Sequence, residues 1–166
     1  MIYFTSVHDT AVGSNFDATV RSRNADSGAP IWGITELSFS TFSRIGPGDF
    51  VMFYHKGMIV GLGRVSATTV DKDLSAKLWG TYQHKYKGTL HWSGIILFSE
   101  YHDLAMPFKE VIDLGAYEPK FSVRRIIQLN EVGCSSIQRL YGSEEEYVAH
   151  TLSSFGANQS ANLTKA

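Results

Sequence analysis

The sequence has no pair of cysteines, no excess of one charge and no long hydrophobic run. Cys134 is the only cysteine among the 166 residues, which excludes an intramolecular disulfide and a zinc site built from a cysteine cluster. No apolar run approaches the length of a membrane span, and the first residues lack the basic region of a signal peptide. We therefore expect a cytoplasmic protein without a membrane partner.

The charge balance also limits the class of partner. Fifteen lysines and arginines stand against sixteen aspartates and glutamates, whereas a protein that follows phosphates over a long site should be visibly basic. The balance is uneven along the chain, however. Between Lys56 and Lys87 six basic residues oppose only Asp71 and Asp73, and three consecutive glutamates stand at 144–146. Any contact with nucleic acid should therefore be short and local.

The motifs of common enzyme classes are missing. The six histidines are scattered, without the His-x-Glu and cysteine pair of zinc deaminases and without metal-ligand spacing. There is no Walker loop, and Gly61-Leu62-Gly63 lacks the third glycine of a dinucleotide fingerprint. Cys134 lies in an apolar helical context, typical of a structural thiol. The sequence predicts no catalytic residue, no metal and no cofactor, and favours a binding module over an enzyme.

The pattern of apolar residues predicts one α+β domain over 1–152 and a polar linker or disordered tail over 153–166. Residues 50–54 and 58–65 are apolar on both alternating faces, which is typical of doubly covered strands in a small mixed β-barrel with helices packed around it. Other strands are predicted at 2–7, 90–100 and 108–112, and 14–29 is predicted as a loop with at most one helical turn. Helices are predicted at 71–79, over a region that opens at 122–129 and continues to 141 with a break near Gly133, and after the N-cap residue Ser143.

Two tryptophans are the most informative residues. Trp32 in Ile31-Trp32-Gly33 and Trp79 in Leu78-Trp79-Gly80 both lie where an apolar run gives way to glycine and polar residues. Tryptophan is the strongest aromatic wall for stacking a base or holding a methylated nitrogen. The alternative is that these rings fill the interior, as large aromatic side chains usually do. The same alternative is favoured for Trp92.

Several segments of this chain resemble the PUA-like superfamily, and within it the YTH and EVE domains. The segments that carry the resemblance are the Gly48-Asp49 opening with Val60-Gly61-Leu62-Gly63-Arg64-Val65, the first strand and its loop over 3–9, Ile31-Trp32, and the stretches 71–79 and 86–92. The segments Arg124-Arg125-Ile126-Ile127 and Ile137-Gln138-Arg139-Leu140-Tyr141 are similar to the N-terminal domains of McrB-type restriction proteins.

The resemblance implies a binding site for a flipped, methylated base, with N6-methyladenine in DNA as the first candidate. Trp32 and Trp79 would be the facing walls of an aromatic cage, with Tyr86 or Tyr82 as the third wall. The carbonyl of Gly33 would accept the remaining N–H of the base. A ring nitrogen would pair with Asp9 or Ser6, and Asn15 and Asp17 compete with Asp9. The residues placed to hold flanking phosphates are Lys85, Lys87, Lys77 and Arg64.

The implied role is that of a targeting module in a modification-dependent restriction system, working with an AAA+ motor and a nuclease. Two alternatives stay open: an RNA-binding module that reads a modified nucleotide, and a PUA-like pocket for a small ligand or hydrolase substrate. Each residue also has a simpler interpretation. The lysines suit a solvated surface, Tyr82 and Tyr86 suit surface positions, and Asp9 suits a turn cap.

Overall fold

A computed structural model describes residues 1–7, 16–21 and 28–156. Its strands are β1 (Ile2–Ser6), β2 (Ile31–Ile34), β3 (Phe50–His55), β4 (Met58–Val70), β5 (Tyr82–His84), β6 (Gly88–Leu90), β7 (Gly94–Pro107) and β8 (Ile127–Gln128). Its α-helices are α1 (Phe39–Phe42), α2 (Lys72–Trp79), α3 (Lys109–Gly115), α4 (Glu131–Tyr141) and α5 (Glu144–Phe155). A π-helical turn (Asp17–Arg21) and a 3₁₀ turn (Glu36–Ser38) complete the described elements.

Six strands form one mixed sheet in the order β2-β7-β4-β3-β1-β8, and β5 and β6 form a separate two-stranded sheet. Strand β1 runs parallel to β3 and antiparallel to β8, and β2 runs antiparallel to β7. Together with five helices, this mixed sheet confirms the predicted α+β fold class. The chain divides into two compact units, and β4 and β7 each contribute residues to both.

The first unit comprises Met1–Ser6, Phe50–Leu62 and His102–Ala166. Its apolar core includes Phe4, Phe50 and Met52 from the strands, together with Val111 of α3 and Tyr147 of α5. These side chains are almost fully withdrawn from solvent. Burial of this apolar surface is the main force that holds the unit together.

The second unit comprises Val7–Asp49 and Gly63–Tyr101. It contains a smaller core cluster in which Trp79 packs against Ile31 and Ile95. Half-buried Leu74, Leu78, Trp92 and Leu97 pack around this cluster. The start of α2 is fixed by Asp71, whose Oδ1 accepts a hydrogen bond of 2.8 Å from the backbone N–H of Leu74.

Most predicted elements are present. The strands near 2–7, 50–54 and 58–65, the short helix ending at Trp79 and the helix ending at Tyr141 all form. Ser143 caps α5 as predicted, because its Oγ accepts a 3.1 Å hydrogen bond from the N–H of Glu146. Of the predicted loop 14–29, the turn Asp17–Arg21 is described and is helical.

The predicted strand at 108–112 is wrong, because these residues open helix α3. Phe108 and Val111 are both buried in the first core, and a separation of three residues places them on one helical face. The apolar alternation that suggested a strand is too short to distinguish the two periods. The strand preceding this helix, β7, instead continues to Pro107.

The start of the predicted helical region, 122–129, is also wrong, and so is the predicted break near Gly133, which lies inside helix α4. Residues 127–128 form the short strand β8, in which Ile127 lies opposite Phe4 and Gln128 opposite Tyr3. The N–H of Leu129 donates a further hydrogen bond of 2.9 Å to the carbonyl of Ile2. The buried apolar residues Val123, Ile126 and Leu129 are three apart, a spacing that is also typical of one helical face. The segment is extended instead, because its backbone forms hydrogen bonds with the edge of β1.

Helix α5 continues to Phe155, three residues beyond the predicted domain end at 152. The division of the chain at 152 itself stays a prediction, since residues 157–166 lie outside the described part. Within the described residues, no helix has the length and apolar character needed to cross a bilayer.

Candidate nucleic-acid interface

The ring of Trp79 lies directly against strand β2. A Cβ atom at residue 33 would stand 2.9 Å from Cε3 of Trp79 and 2.7 Å from Cβ of Trp92, closer than packed atoms allow. Ile31, two residues earlier on the same face of β2, also packs with Trp79. Glycine at position 33 therefore permits the indole to approach the strand backbone, and Trp79 is only 8% exposed.

Trp32 lies on the opposite face of β2, because successive side chains of a strand alternate. Its ring contacts the edge of Phe16 at a centroid distance of 5.5 Å and an interplanar angle of 88°. Phe16 in turn contacts Tyr101 at 6.0 Å. Trp32 is 2% exposed. It is a packed interior residue of the second unit.

The predicted arrangement of two indoles facing each other is therefore corrected. Trp32 and Trp79 are separated by the thickness of a strand, and both are buried. Trp32 and Gly33 are neighbours in the sequence, but only Gly33 lies against Trp79. The sequence pattern does not show which of the two faces the second tryptophan. Trp79 stands on the face that continues through Trp92 towards the β5–β6 hairpin, whereas Trp32 packs with Phe16 on the other face.

That face carries a row of four rings, which we call the hairpin aromatic row: Trp92, Tyr82, His84 and Tyr86. The Trp92 and Tyr82 rings are 5.2 Å apart and tilted by 37°. Tyr82 and His84 follow at 6.4 Å, and His84 and Tyr86 at 6.3 Å. Trp92, Tyr82 and His84 are half-buried, whereas Tyr86 is exposed. The row thus runs from the interior to the surface.

The hairpin of β5 and β6 holds this row in place. Its turn is closed by the N–H of Lys87, which donates to the carbonyl of His84 at 3.3 Å, and Gly88 follows with φ +71°. Residues 85–87 thus form a three-residue connection, and Gly88, the first residue of β6, takes the left-handed backbone conformation that is common at the end of a hairpin loop. Across the strands, Nε2 of Gln83 donates to Oγ1 of Thr89 at 2.6 Å.

Positive charge accompanies the row. The side chains of Lys77, Lys85 and Lys87 are exposed, and Nζ of Lys85 lies 5.1 Å from the centroid of the Tyr86 ring. No acidic residue occurs between Asp73 and Glu100. Arg64 differs from the lysines, because its Nε donates to Oε1 of Glu100 at 2.9 Å. Lys85 and Lys87 carry positive charge on the hairpin itself, and Lys77 lies on helix α2.

The second unit also contains buried hydrogen-bonding groups without a partner. Within the described residues, four buried side-chain atoms have no hydrogen-bond partner: Oγ of Ser75, Nε1 of Trp79, Nδ1 of His91 and Oγ of Ser93. Ser75 and Trp79 share one face of α2. The carbonyl of Ser93 accepts a 2.9 Å hydrogen bond from the N–H of Asp71, at the start of the same helix. Buried polar atoms normally have partners, and an internal water is the usual partner where the protein supplies none.

The residues predicted to read the base edge have separate outcomes. Asp9 and its competitor Asn15 lie outside the described residues. Ser6 is the half-buried last residue of β1 and belongs to the first unit. Asp17 is engaged locally, because its Oδ1 accepts from Nη1 of Arg21 at 3.0 Å. Base contacts by Asp9 and Ser6, and by the carbonyl of Gly33, stay predictions.

Groups with catalytic potential are dispersed. Within the residues that the structure describes, no three histidine, cysteine or acidic side chains come together as a metal site would require. Cys134 is half-buried, its Sγ lies 3.7 Å from the carbonyl of Leu129, and burial raises the pKa of its thiol. A raised pKa leaves little thiolate at neutral pH, as in a structural cysteine.

Neither a family model nor a curated protein sequence matches this chain. Among solved structures, the N-terminal domain of McrB from Thermococcus gammatolerans, bound to m5C DNA, matches with a TM-score of 0.57 at 17% sequence identity. The match covers 84% of this chain and 95% of that domain. The chain has the fold of the McrB domain. The predicted resemblance to McrB-type N-terminal domains is thus confirmed for the fold, while membership of the YTH or EVE type stays a prediction.

Two further solved structures are similar at lower scores. ASCH from Zymomonas mobilis matches with a TM-score of 0.45 and 8% identity, over 84% of this chain and 95% of that chain. A protein from Pseudomonas putida matches with a TM-score of 0.46 and 14% identity, over 84% of this chain and 99% of that chain.

The sequence alone did not predict the β5–β6 hairpin or the place of His84 and Trp92 in an aromatic row. The signals were present, since Tyr82 and His84 are two apart on one strand face and Gly88 closes the turn. The three-residue strands are too short for an alternation pattern to be read from sequence.

Proposed function

We propose that this protein is a binding module that recognises a methylated base in DNA after the base has been flipped out of the duplex. The observation that carries the proposal is the combination of the hairpin aromatic row with three exposed lysines in one unit. The McrB domain with the same fold, which was solved bound to m5C DNA, supports DNA with a modified base as the ligand class.

In this proposal the base is held at the inner end of the row. Trp92 and Tyr82 offer half-buried ring faces, and Trp79 lies behind them as the floor. Stacking a base on aromatic side chains is typically worth ~1–3 kcal/mol per base.

Methylation would be recognised by an apolar fit. One additional methyl-sized group in an apolar pocket gives about 1–3 kcal/mol of discrimination, so we expect a preference of roughly tens-fold over the unmodified base. N6-methyladenine is the base that the sequence resemblance implies. The m5C DNA of the structural neighbour makes 5-methylcytosine the main competitor.

The lysines would hold the backbone beside the flipped base. Extracting a base from a duplex costs a few kcal/mol, and contacts to flanking phosphates offset part of this. We expect Lys77, Lys85 and Lys87, whose side chains are exposed, to supply those contacts. Because Arg64 is already paired with Glu100, we expect it to contribute less than the lysines.

The proposed biological role is the targeting of a modification-dependent restriction system. In such a system this module would select methylated DNA, while an AAA+ motor and a nuclease would supply movement and cleavage. The fold shared with the McrB domain supports this role.

A titration panel tests the proposal. Fluorescent duplexes carrying N6-methyladenine, 5-methylcytosine or no modification are titrated with the protein, alongside single-stranded RNA carrying N6-methyladenine. We expect tighter binding to one methylated duplex than to the plain duplex. Equal binding to all duplexes would contradict the proposal, and selective binding of the RNA would favour an RNA-binding module.

Variants then locate the site. Tyr82→Ala should weaken binding of the preferred probe about tenfold, in line with the loss of one stacking partner. Tyr141→Ala is the matched control, since Tyr141 is also a half-buried tyrosine but belongs to helix α4 of the first unit. If both variants bind as the parent does, the row is not the binding site.

A further inference from the structure

The most exposed aromatic side chain in the described part of the chain stands at the tip of the β5–β6 hairpin. Tyr86 is 80% exposed, more than the next large apolar side chains, Leu140 at 61% and Val70 at 57%. Single exposed apolar side chains are common on protein surfaces, so what this ring can bind follows from how the hairpin holds it and from the charges beside it.

The position of this ring is defined although it is exposed. The N–H of Tyr86 donates to Nδ1 of His84 at 3.2 Å, and the turn hydrogen bond from Lys87 closes around it. The Lys85 ammonium group lies 5.1 Å from the ring centroid, within the range of a cation–π interaction. The hairpin thus presents the ring with part of its conformational freedom already removed.

Tyr86 is not placed to share one pocket with Trp79 and Trp92. Along the hairpin aromatic row, Tyr82 and His84 stand between Trp92 and Tyr86. A base stacked at the inner end therefore leaves Tyr86 outside. The predicted role of Tyr86 as a third cage wall does not fit this separation.

The charge around the ring indicates an anionic partner. Lys85 and Lys87 flank Tyr86 in sequence, and the stretch between Asp73 and Glu100 contains no acid. An aromatic tip between two cations matches the alternation of stacked bases and phosphates along a nucleic-acid strand.

We propose that Tyr86 enters the DNA base stack and fills the gap left by the flipped base, while Lys85 and Lys87 contact the phosphates on either side. This inference rests on the proposed function, because a gap exists only if a base is extruded. Side chains that wedge between base steps are a known means of stabilising distorted duplexes. The Tyr86 ring replaces the stacking that the extruded base gave to its two neighbours.

The experiment compares the parent protein with Tyr86→Ala on two probes: a duplex with one methylated base, and the same base in a short mismatched bubble that is already unstacked. We expect Tyr86→Ala to weaken duplex binding about 5- to 100-fold and bubble binding less than threefold, as loss of one stacking contact predicts. Tyr86→Phe keeps the ring and should bind both probes like the parent. Leu140→Ala removes another exposed apolar side chain and serves as the control.

A second readout reports insertion directly. The fluorescence of a 2-aminopurine placed beside the methylated base is quenched when a ring stacks on it and increases when the gap is empty. The complex with Tyr86→Ala should therefore be brighter than the complex with the parent or with Tyr86→Phe. Equal fluorescence in all three complexes would overturn the inference. An equal loss of affinity for the duplex and the bubble would also overturn it, because it would mean that Tyr86 contacts the methylated base itself.

These outcomes are distinct from failure of the proposed function. If the parent protein does not prefer methylated over plain probes, the proposed function fails before any variant is compared. If the parent prefers the methylated duplex and Tyr86→Ala leaves its affinity and fluorescence unchanged, only the role of Tyr86 fails. Thermal unfolding of each variant should match the parent, because the ring makes few packing contacts at 80% exposure.

Discussion

The indole of Trp79 lies so close to the backbone of Gly33 that a single methyl group at residue 33 would stand 2.9 Å from two of its ring carbons. This contact fixes the C-terminal end of α2 against β2. It also decides which face of the strand belongs to the candidate interface, since Trp32 packs on the other face with Phe16. The contact at Gly33 therefore determines that Trp79, and not Trp32, lies at the buried end of the proposed binding surface.

The first prediction concerns that contact. Gly33→Ala should lower the free energy of unfolding by about 1–3 kcal/mol, the usual effect of an overpacked core, because Trp79 must move. Displacing Trp79 should also weaken binding of the methylated duplex. Urea unfolding and probe titration measure the two effects. Gly46→Ala is the control, since a Cβ there meets nothing within 4 Å, and it should leave both quantities nearly unchanged. A fully stable Gly33→Ala protein would contradict this packing.

The second prediction concerns Ser75, whose Oγ is buried without a partner among the described residues. Ser75→Ala should leave the free energy of unfolding unchanged or raise it by up to about 1 kcal/mol, because no hydrogen bond is lost and alanine favours the helix. Ser93→Ala should likewise cause no loss. A destabilisation of more than about 1 kcal/mol in chemical unfolding would mean that a bound water already satisfies the hydroxyl.

The third prediction concerns how the affinity for DNA depends on salt concentration when Lys85 or Lys87 is replaced. If Lys85 and Lys87 each neutralise one phosphate, then each alanine variant should reduce the slope of log affinity against log salt by about 1. Binding is measured over a series of salt concentrations. Lys120→Ala is the control, because Lys120 is also an exposed lysine but belongs to the first unit. An unchanged slope for both hairpin variants would remove the lysines from the interface.

The fourth prediction concerns Tyr147 of α5, whose pKa is raised by burial from its ordinary value of 10.0 to about 12. Between these values the unfolded chain loses the phenolic proton while the folded protein keeps it, so stability falls as pH rises from about 10 to about 12. Below pH 10 the contribution is fully present. The total loss should be about 2–3 kcal/mol.

The check for Tyr147 is urea unfolding of the parent and of Tyr147→Phe at pH 8, 10 and 11. Other tyrosines and lysines titrate in both proteins, so the difference between the two free energies isolates Tyr147. The variant lacks the hydrogen bond with Thr151 and should start less stable, but the difference should shrink as pH rises. A difference that does not depend on pH would show that Tyr147 is not buried in this way.

Local signals in the sequence were sufficient for much of the fold. Ser143 followed by Glu146 predicted the start of α5, because a side-chain cap depends only on residues one turn apart. The doubly apolar strands around Phe50 and Leu62 predicted a covered sheet. The segments 108–112 and 122–129 were misassigned because each is short, and because partners distant in the chain decided their state, such as β1 for residues 127–128.

By itself the sequence determined the α+β class and a stretch without acids between Asp73 and Glu100 that carries Lys77, Lys85 and Lys87. Only the tertiary structure decided which aromatic side chains share a surface. Trp32 and Gly33 are neighbours in the chain, yet strand alternation places Trp32 in the interior and Gly33 beneath Trp79. Tyr82 and Trp92 lie ten residues apart, yet hairpin pairing brings their rings to 5.2 Å. Burial and strand pairing depend on residues from several segments at once, so they exist only once the chain has folded.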